Sequence, residues 1–196
     1  MSVDRLWYPR EDVAEEDGAP EPSKMLRGGD VLDDPLVREL LAARLVGVLA
    51  TLDQAGPPHA VPVWWAVRGA DVVMATSSRS RKVRNLDRDT RATLVLHDSR
   101  PGAEVCGASL RGRAEIVRGA AAGALVELVH LHYVTPAGLD LPEVREFLAF
   151  DDVALVFRPD AAWTWDERDN PAAAALRASG EALPLVPTSP RTEDPG

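Results

Sequence analysis

The chain has 196 residues, 45% of them hydrophobic and 27% charged, enough for one well-buried domain and too few for two ordinary ones. Its 22 Lys and Arg stand against 31 Asp and Glu, a net charge of −9, which excludes a broad nucleic-acid surface built on many cationic phosphate contacts. No apolar run approaches the ~18 residues of a membrane span, and the charge-studded N-terminus has no apolar h-region of a secretory signal. The single cysteine, Cys106, can form neither an intramolecular disulfide nor a cysteine-based zinc site. A cytoplasmic protein is expected, with no membrane and no nucleic acid among its partners.

In chain order, residues 1–30 carry eight acidic and four basic residues without an apolar period, and read as a flexible acidic arm. The folded domain is expected over 31–168. It opens on a helix, with Asp34 as its cap, Pro35 in its first turn, and Leu36, Leu40 and Leu41 on one face. Six strands then follow, over 45–52, 59–67, 71–75, 92–97, 109–117 and 153–165. In the second, the period of two puts Val61, Val63, Trp65 and Val67 on one side. Gly69 marks a hairpin turn, and helical patterns occupy 120–133 and 142–150. Short turns between strands predict a mainly β architecture, an antiparallel sheet closing on itself with flanking helices. A short Ala-rich helix over 171–179, stopped by Gly180, and a Pro-rich tail complete the chain over 169–196.

The acidic average hides one basic stretch. Between Thr76 and Arg91 lie Arg79, Arg81, Lys82, Arg84, Arg88 and Arg91 against Asp87 and Asp89, a local charge of +4. Ser80 can cap a short helix beginning at Arg81, with Val83 and Leu86 turned inward. Its first-turn N–H groups, the hydroxyls of Thr76 and Ser77, and the adjacent cations Arg81 and Lys82 would together cradle a phosphate. The competing reading is a solvated Arg-rich helix paired with Asp87 and Asp89. Other candidates carry less. His130 and His132, two apart on a helix, point in different directions and make a poor metal pair. His59 and His97 stand alone at strand ends, Glu143 and Glu146 read as surface carboxylates, and Cys106 as a small packing residue. No catalytic side chain and no metal site is expected.

The order of these elements resembles the pyridoxamine 5′-phosphate oxidase-like FMN-binding split-barrel superfamily. The resemblance covers roughly 45–117. It rests on the strand over 59–67, the hairpin through Gly69, and Thr76 with Arg81-Lys82 five and six residues later. Leu86, the strand over 92–97 and the stretch Leu110-Arg111-Gly112-Arg113-Ala114-Glu115 continue it, and Ala162-Trp163-Thr164-Trp165 adds support. The resemblance implies a six-stranded antiparallel split barrel, a homodimer, and a cofactor groove between its two subunits. It implies that Thr76, Arg81 and Lys82, with Ser77 and Asn85 beside them, hold the cofactor phosphate. The backbone of Val61, Pro62, Val63 and Trp64 would lie against the cofactor ring. Of Trp64 and Trp65, one must point away from the core, either to stack beside that ring or to meet the partner subunit.

The chain also departs from the authentic oxidase. His59-Ala60 stands where the oxidase has a basic residue, and Cys106-Gly107-Ala108 where it has a glutamine. The C-terminal Arg-Leu-x-His-type motif is replaced by Trp-Thr-Trp-Asp-Glu-Arg, so a vitamin B6 oxidase is not expected. Both FMN and coenzyme F420, a deazaflavin, fit the pattern. The wording Ser-Arg-Ser-Arg-Lys-Val-Arg-Asn-Leu looks more like the deazaflavin-using branch, and Arg79, Arg84 and Arg88 could serve a longer anionic tail. The implied function is a flavin- or deazaflavin-dependent oxidoreductase exchanging hydride with a small organic substrate. The alternative is a non-catalytic split barrel that binds flavin, haem or another tetrapyrrole, with His59 the histidine placed for haem.

Overall fold

A computed structural model describes residues 23–100 and 104–181. The strands, in chain order, are β1 Ser23–Arg27, β2 Gly47–Leu52, β3 Pro58–Val63, β4 Trp65–Arg68, β5 Asp71–Thr76, β6 Arg91–Arg100, β7 Glu104–Val117 and β8 Val153–Asp166. Between and after them lie the helices α1 Pro35–Ala42, α2 Arg81–Leu86, α3 Ala120–Tyr133, α4 Pro136–Leu139, α5 Pro142–Leu148 and α6 Pro171–Ser179. Every strand pairing is antiparallel. The sheet runs β3-β2-β6-β7-β8-β5-β4, with β1 laid against β8.

The two ends of that path, β3 and β4, are separated in sequence by Trp64 alone. Val63 and Trp65 are therefore within about 7 Å of each other, two Cα–Cα steps. Seven strands laid flat would hold their outer members roughly 29 Å apart, six spacings of about 4.8 Å. The sheet must curl until its edges meet, and the meeting point is a chain corner rather than a hydrogen-bonded ladder. This is a mainly β split barrel with flanking helices, as expected.

Alternation along the strands sorts side chains between two cores. Leu49, Trp65, Val72, Met74, Leu94, Leu96, Leu110, Leu155 and Phe157 fill the barrel, all essentially without solvent exposure. α1 adds Val37, Leu40 and Leu41 to this core, and α2 adds Val83 and Leu86. The intervening residues Ala66, Val73, Ala154 and Val156 face outward and are covered by Ala122, Leu125, Val126 and Val129 of α3. Buried on both faces, β5 and the first half of β8 read as continuous apolar runs. Cys106 is a core residue, and burial pushes its thiol pKa up.

Local chemistry sets the element ends. Asp34 caps α1, its carboxylate accepting from the N–H groups of Leu36 at 3.0 Å and Val37 at 3.2 Å. Burial works to raise its pKa, but the ion pair with Lys24 and these N–H donors hold it below the usual carboxylate range. Gly69, at φ +60°, turns the β4–β5 hairpin, which a residue with a Cβ would strain.

Three expectations are corrected. The sheet has eight strands among the described residues rather than six. The run expected as one strand over 59–67 is cut at Trp64, because there the chain crosses from one sheet edge to the other; Val67 is left exposed. The acidic arm expected over 1–30 gives up its last part to the fold. Ser23–Arg27 pairs with β8 from Ala161 to Trp165, and Gly28–Val31 forms a 3-10 turn. Residues 1–22, and the expected tail from 182 onward, lie outside the described residues. α6 ends as expected at Gly180, which takes the left-handed conformation. No helix among the described residues is long and apolar enough to cross a membrane.

At the bulge between Arg111 and Gly112, the register of β7 on β8 shifts, and a Cβ on Gly112 would fall on the Arg158 carbonyl. Gly112→Ala is expected to cost about 1–3 kcal/mol of unfolding free energy by overpacking. Gly123→Ala in α3 meets nothing within 4 Å and should instead gain about 0.5–1 kcal/mol. Urea denaturation of the two variants checks the opposite signs.

Candidate functional site

α2 is only six residues long and is anchored by its buried side, Val83, Asn85 and Leu86. Asn85 donates through Nδ2 to Thr51 Oγ1 of β2 at 3.0 Å and accepts at Oδ1 from Arg88 at 3.1 Å. Both polar ends of its amide are thus engaged within the chain, and they brace α2 against β2. Arg81 reaches toward Asp53 in the β2–β3 turn at 3.8 Å and stays largely exposed.

The loop before α2 is tied down from a distant point in the sequence. Asp152 accepts from the backbone N–H and the hydroxyl of Ser78, each at 2.6 Å, and these bonds hold its carboxyl below the usual range. Ser77 Oγ accepts from the Arg79 N–H at 3.3 Å. The Ser80 side chain makes no capping bond; its hydroxyl is buried and without a partner.

Thr76 ends β5 and is 4% exposed. Lys82 Nζ donates to its hydroxyl at 2.8 Å. Burial pushes the Lys82 pKa down, against a raising field from Asp151. Asp151 itself is engaged by His130 Nε2 at 2.9 Å. Among the described residues, no carboxylate stands within ion-pair distance of Lys82, so a partly buried ammonium has only a neutral hydroxyl beside it.

The rest of the basic stretch is differently occupied. Arg84 donates to the Arg79 carbonyl at 2.6 Å, and Arg88 to the Arg84 carbonyl at 3.0 Å. Asp87 is taken by Arg118 at 2.8 Å and Asp89 by Arg91 at 2.6 Å, neither by a cation of α2 itself. The expected pairing of the helix with its own carboxylates is not what the chain does. Of the three arginines assigned to a longer anionic tail, Arg84 and Arg88 fold back on their own backbone.

Across the barrel seam lies β3. As the last strand of the path it has one unpaired edge, and the β4–β5 register ends at Trp65 opposite Met74, two residues after Val63 and two before Thr76. Val63, at the end of β3, and Thr76 are thus each two residues along the chain from the Trp65–Met74 pair, and Lys82 is bonded to Thr76. Val63 points into the core, Val61 is partly buried and Pro62 is exposed. Trp64 stacks on Tyr133 of α3, ring centroids 4.7 Å apart and planes 12° from parallel, a partner the sequence did not indicate. The Tyr133 hydroxyl donates to the Leu45 carbonyl at 2.6 Å and accepts from the Trp65 N–H at 3.3 Å. Burial pushes its pKa up. His130 turns to Asp151, whereas His132 lies against the rings of Trp65 and Tyr133, so the two histidines do point apart.

Sequence reasoning found Thr76 and Lys82 but missed Tyr133, Asp151 and Asp152. Nothing local marks these three, because their partners lie 68–88, 21 and 74 residues away in the chain.

The sequence profile of the family described as pyridoxamine 5′-phosphate oxidase matches residues 34–166, more than half of the chain. The chain belongs to that family. Its fold recurs in solved structures that share little sequence with it. A conserved hypothetical protein from Mycobacterium tuberculosis is 24% identical with a TM-score of 0.57, the match covering 82% of this chain and 95% of that one. An FAD-binding protein from Mesorhizobium loti is 15% identical with a TM-score of 0.52, over 72% and 95% of the two chains. A heme storage protein from Vibrio cholerae is 15% identical with a TM-score of 0.51, over 68% and 94%. No curated protein sequence matches this chain. The split-barrel fold of the family thus accompanies more than one kind of bound group.

Tyr133→Phe keeps the stack on Trp64 and removes both hydrogen bonds at the seam. It is expected to lower stability by about 1–3 kcal/mol, because the buried Trp65 N–H and Leu45 carbonyl lose their partner. Thermal or urea unfolding measures this.

Proposed function

We propose that this chain is a flavin- or deazaflavin-dependent oxidoreductase, with FMN or coenzyme F420 as its cofactor and a small organic molecule as its substrate. The observation that carries the reading is Lys82. Its ammonium is partly withdrawn from water and bonded only to the neutral Thr76 hydroxyl. A desolvated cation is stabilised by an anion, and a phosphate delivered at the seam would supply the missing charge. The unpartnered Ser80 hydroxyl is a second donor nearby. The residues present therefore fit a phosphate-bearing cofactor.

In this reading Thr76 and Lys82 hold the phosphate, Ser77 and Arg81 border it, and Asn85 keeps α2 in place. The unpaired edge of β3, from Val61 to Trp64, provides a polar backbone rim along which a flat ring can lie. When bound, a flavin or deazaflavin ring supplies the hydride chemistry. The chain's own work is to bind, orient and partly desolvate, and no side chain is assigned a proton-transfer role. The departures at His59-Ala60 and Cys106-Gly107-Ala108, with the absent Arg-Leu-x-His motif, argue against pyridoxamine phosphate as substrate. We assign one wall of the cofactor groove to the β3 edge and the other to the second subunit of a cytoplasmic homodimer.

Titration of the full chain with FMN and with coenzyme F420, following ring fluorescence together with particle mass, tests the proposal. Micromolar binding of either by a dimer is the expected result. Binding of haem in place of both would turn the reading to a non-catalytic carrier, and binding of none would remove it. Lys82→Ala should weaken cofactor binding by roughly 1–3 kcal/mol, about tenfold to a hundredfold.

The pH dependence follows from the lowered Lys82 pKa in the free protein. Its proton, and with it the attraction for phosphate, is present at low pH and lost as pH rises through that lowered value. Affinity should therefore begin to decline at a pH below the pKa of about 10.4 of an ordinary lysine. Lys82→Arg, which stays charged throughout, should abolish the decline. A flat wild-type profile up to pH 10 would place the phosphate elsewhere.

A further inference from the structure

A second cationic site lies apart from the seam, on β6 and β7. Along these strands Ala92, Leu94, Leu110 and Ala114 point into the core, so Arg91, Thr93, Arg111 and Arg113 alternate onto the outer face. The register sets Arg91 directly opposite Arg113, and Arg113 directly opposite Arg158 of β8. Three guanidinium groups in a row across three strands repel one another, since like charges in directly opposed positions destabilise a sheet. In a chain of net charge −9, carboxylates were available to separate them.

The outer two are neutralised. Arg91 is held by Asp89 at 2.6 Å and Arg158 by Asp71 at 2.8 Å. The middle is not. Arg113 donates to the Thr90 hydroxyl at 3.1 Å, and Arg111 has no hydrogen-bond or ion-pair partner among the described residues. Both line a cavity of about 380 Å³ together with Arg91, a size in the ordinary range for small-molecule sites. The remaining wall is mostly apolar or weakly polar, including Ala50, Leu52, Pro58 and Thr93. Asp160 also borders the cavity, but it forms no ion pair with these arginines.

Two guanidinium groups without an ion pair of their own, above an apolar floor, match a molecule with an anionic head and an organic body. We propose that this cavity binds a small organic phosphate, its dianionic head held by Arg111 and Arg113 and its body resting on Ala50, Leu52 and Pro58. The planar fork of arginine suits the several acceptor oxygens of such a head. The site is built on β2, β6 and β7 and uses neither Thr76 nor Lys82, so it stands or falls independently of the cofactor reading.

The test is calorimetric titration of the full chain at low ionic strength with phenyl phosphate, inorganic phosphate and benzoate. It is run in the Lys82→Ala background to remove the seam cation. Phenyl phosphate is expected to bind once per chain, and more tightly than either fragment by about fivefold or more, the gain coming from the apolar floor. Arg111→Gln and Arg113→Gln, each added to that background, should weaken it by about tenfold or more. A second readout is thermal. With no ligand, Arg113→Gln should raise the melting temperature by relieving the opposed charges, whereas phenyl phosphate should raise that of the parent and not of the variant. The proposal is overturned if phenyl phosphate fails to bind Lys82→Ala protein, if the arginine variants bind it unchanged, or if it binds no better than inorganic phosphate.

Discussion

The barrel depends on one covalent constraint, the single residue between β3 and β4. Because Trp64 alone separates the first and last strands of the sheet path, closure is imposed by connectivity, before any packing is considered. Packing then holds the corner. Trp64 lies flat on Tyr133, and the Tyr133 hydroxyl spans from the Leu45 carbonyl to the Trp65 N–H. α3 thereby serves two purposes, covering the outward faces of β5 and β8 and clamping the seam. Since the corner cannot also be a ladder, β3 keeps an unpaired edge there.

Charge is distributed to the same end. Many ionic groups are matched over short distances, as in Arg168 with Asp166 and Glu39, or Arg118 with Asp87. Against that background the cations without a carboxylate differ in what they touch instead. Lys82 meets only a hydroxyl and Arg111 no partner among the described residues, whereas Arg84 and Arg88, equally prominent in the sequence, close onto backbone carbonyls of the same stretch, Arg79 and Arg84. What distinguishes a binding cation from a structural one is its partner, which a sequence does not display.

This also explains how far the sequence could be read. The alternation in β2, β5 and β8 and the cap at Asp34 are local signals, and those elements stand close to where they were expected. β1 was missed because Ser-Lys-Met-Leu-Arg has no strand pattern of its own; it is extended because β8 offers it an edge. α4 falls between the two expected helical patterns, where Thr135 caps a single turn through the Gly138 N–H. The break at Trp64 was invisible for the opposite reason. The in-out alternation of Val63 and Trp65 persists through it, and only the sheet order reveals that the chain has changed edges. At the candidate site, Thr76 and Lys82 carried a spacing that could be recognised. Asp152 and Tyr133 act from the far side of the chain and carried none.

The composition of β3 has a consequence for how copies of this protein meet. An open sheet edge is a template for strand addition, the route by which β proteins zip together into fibrils. β3 is such an edge, but two of its six residues, Pro58 and Pro62, have no N–H to give to an incoming strand. A small molecule can still lie against its remaining carbonyl and amide groups, while a neighbouring chain cannot complete a ladder there. The same strand can stay open to ligands and remain protected from aggregation.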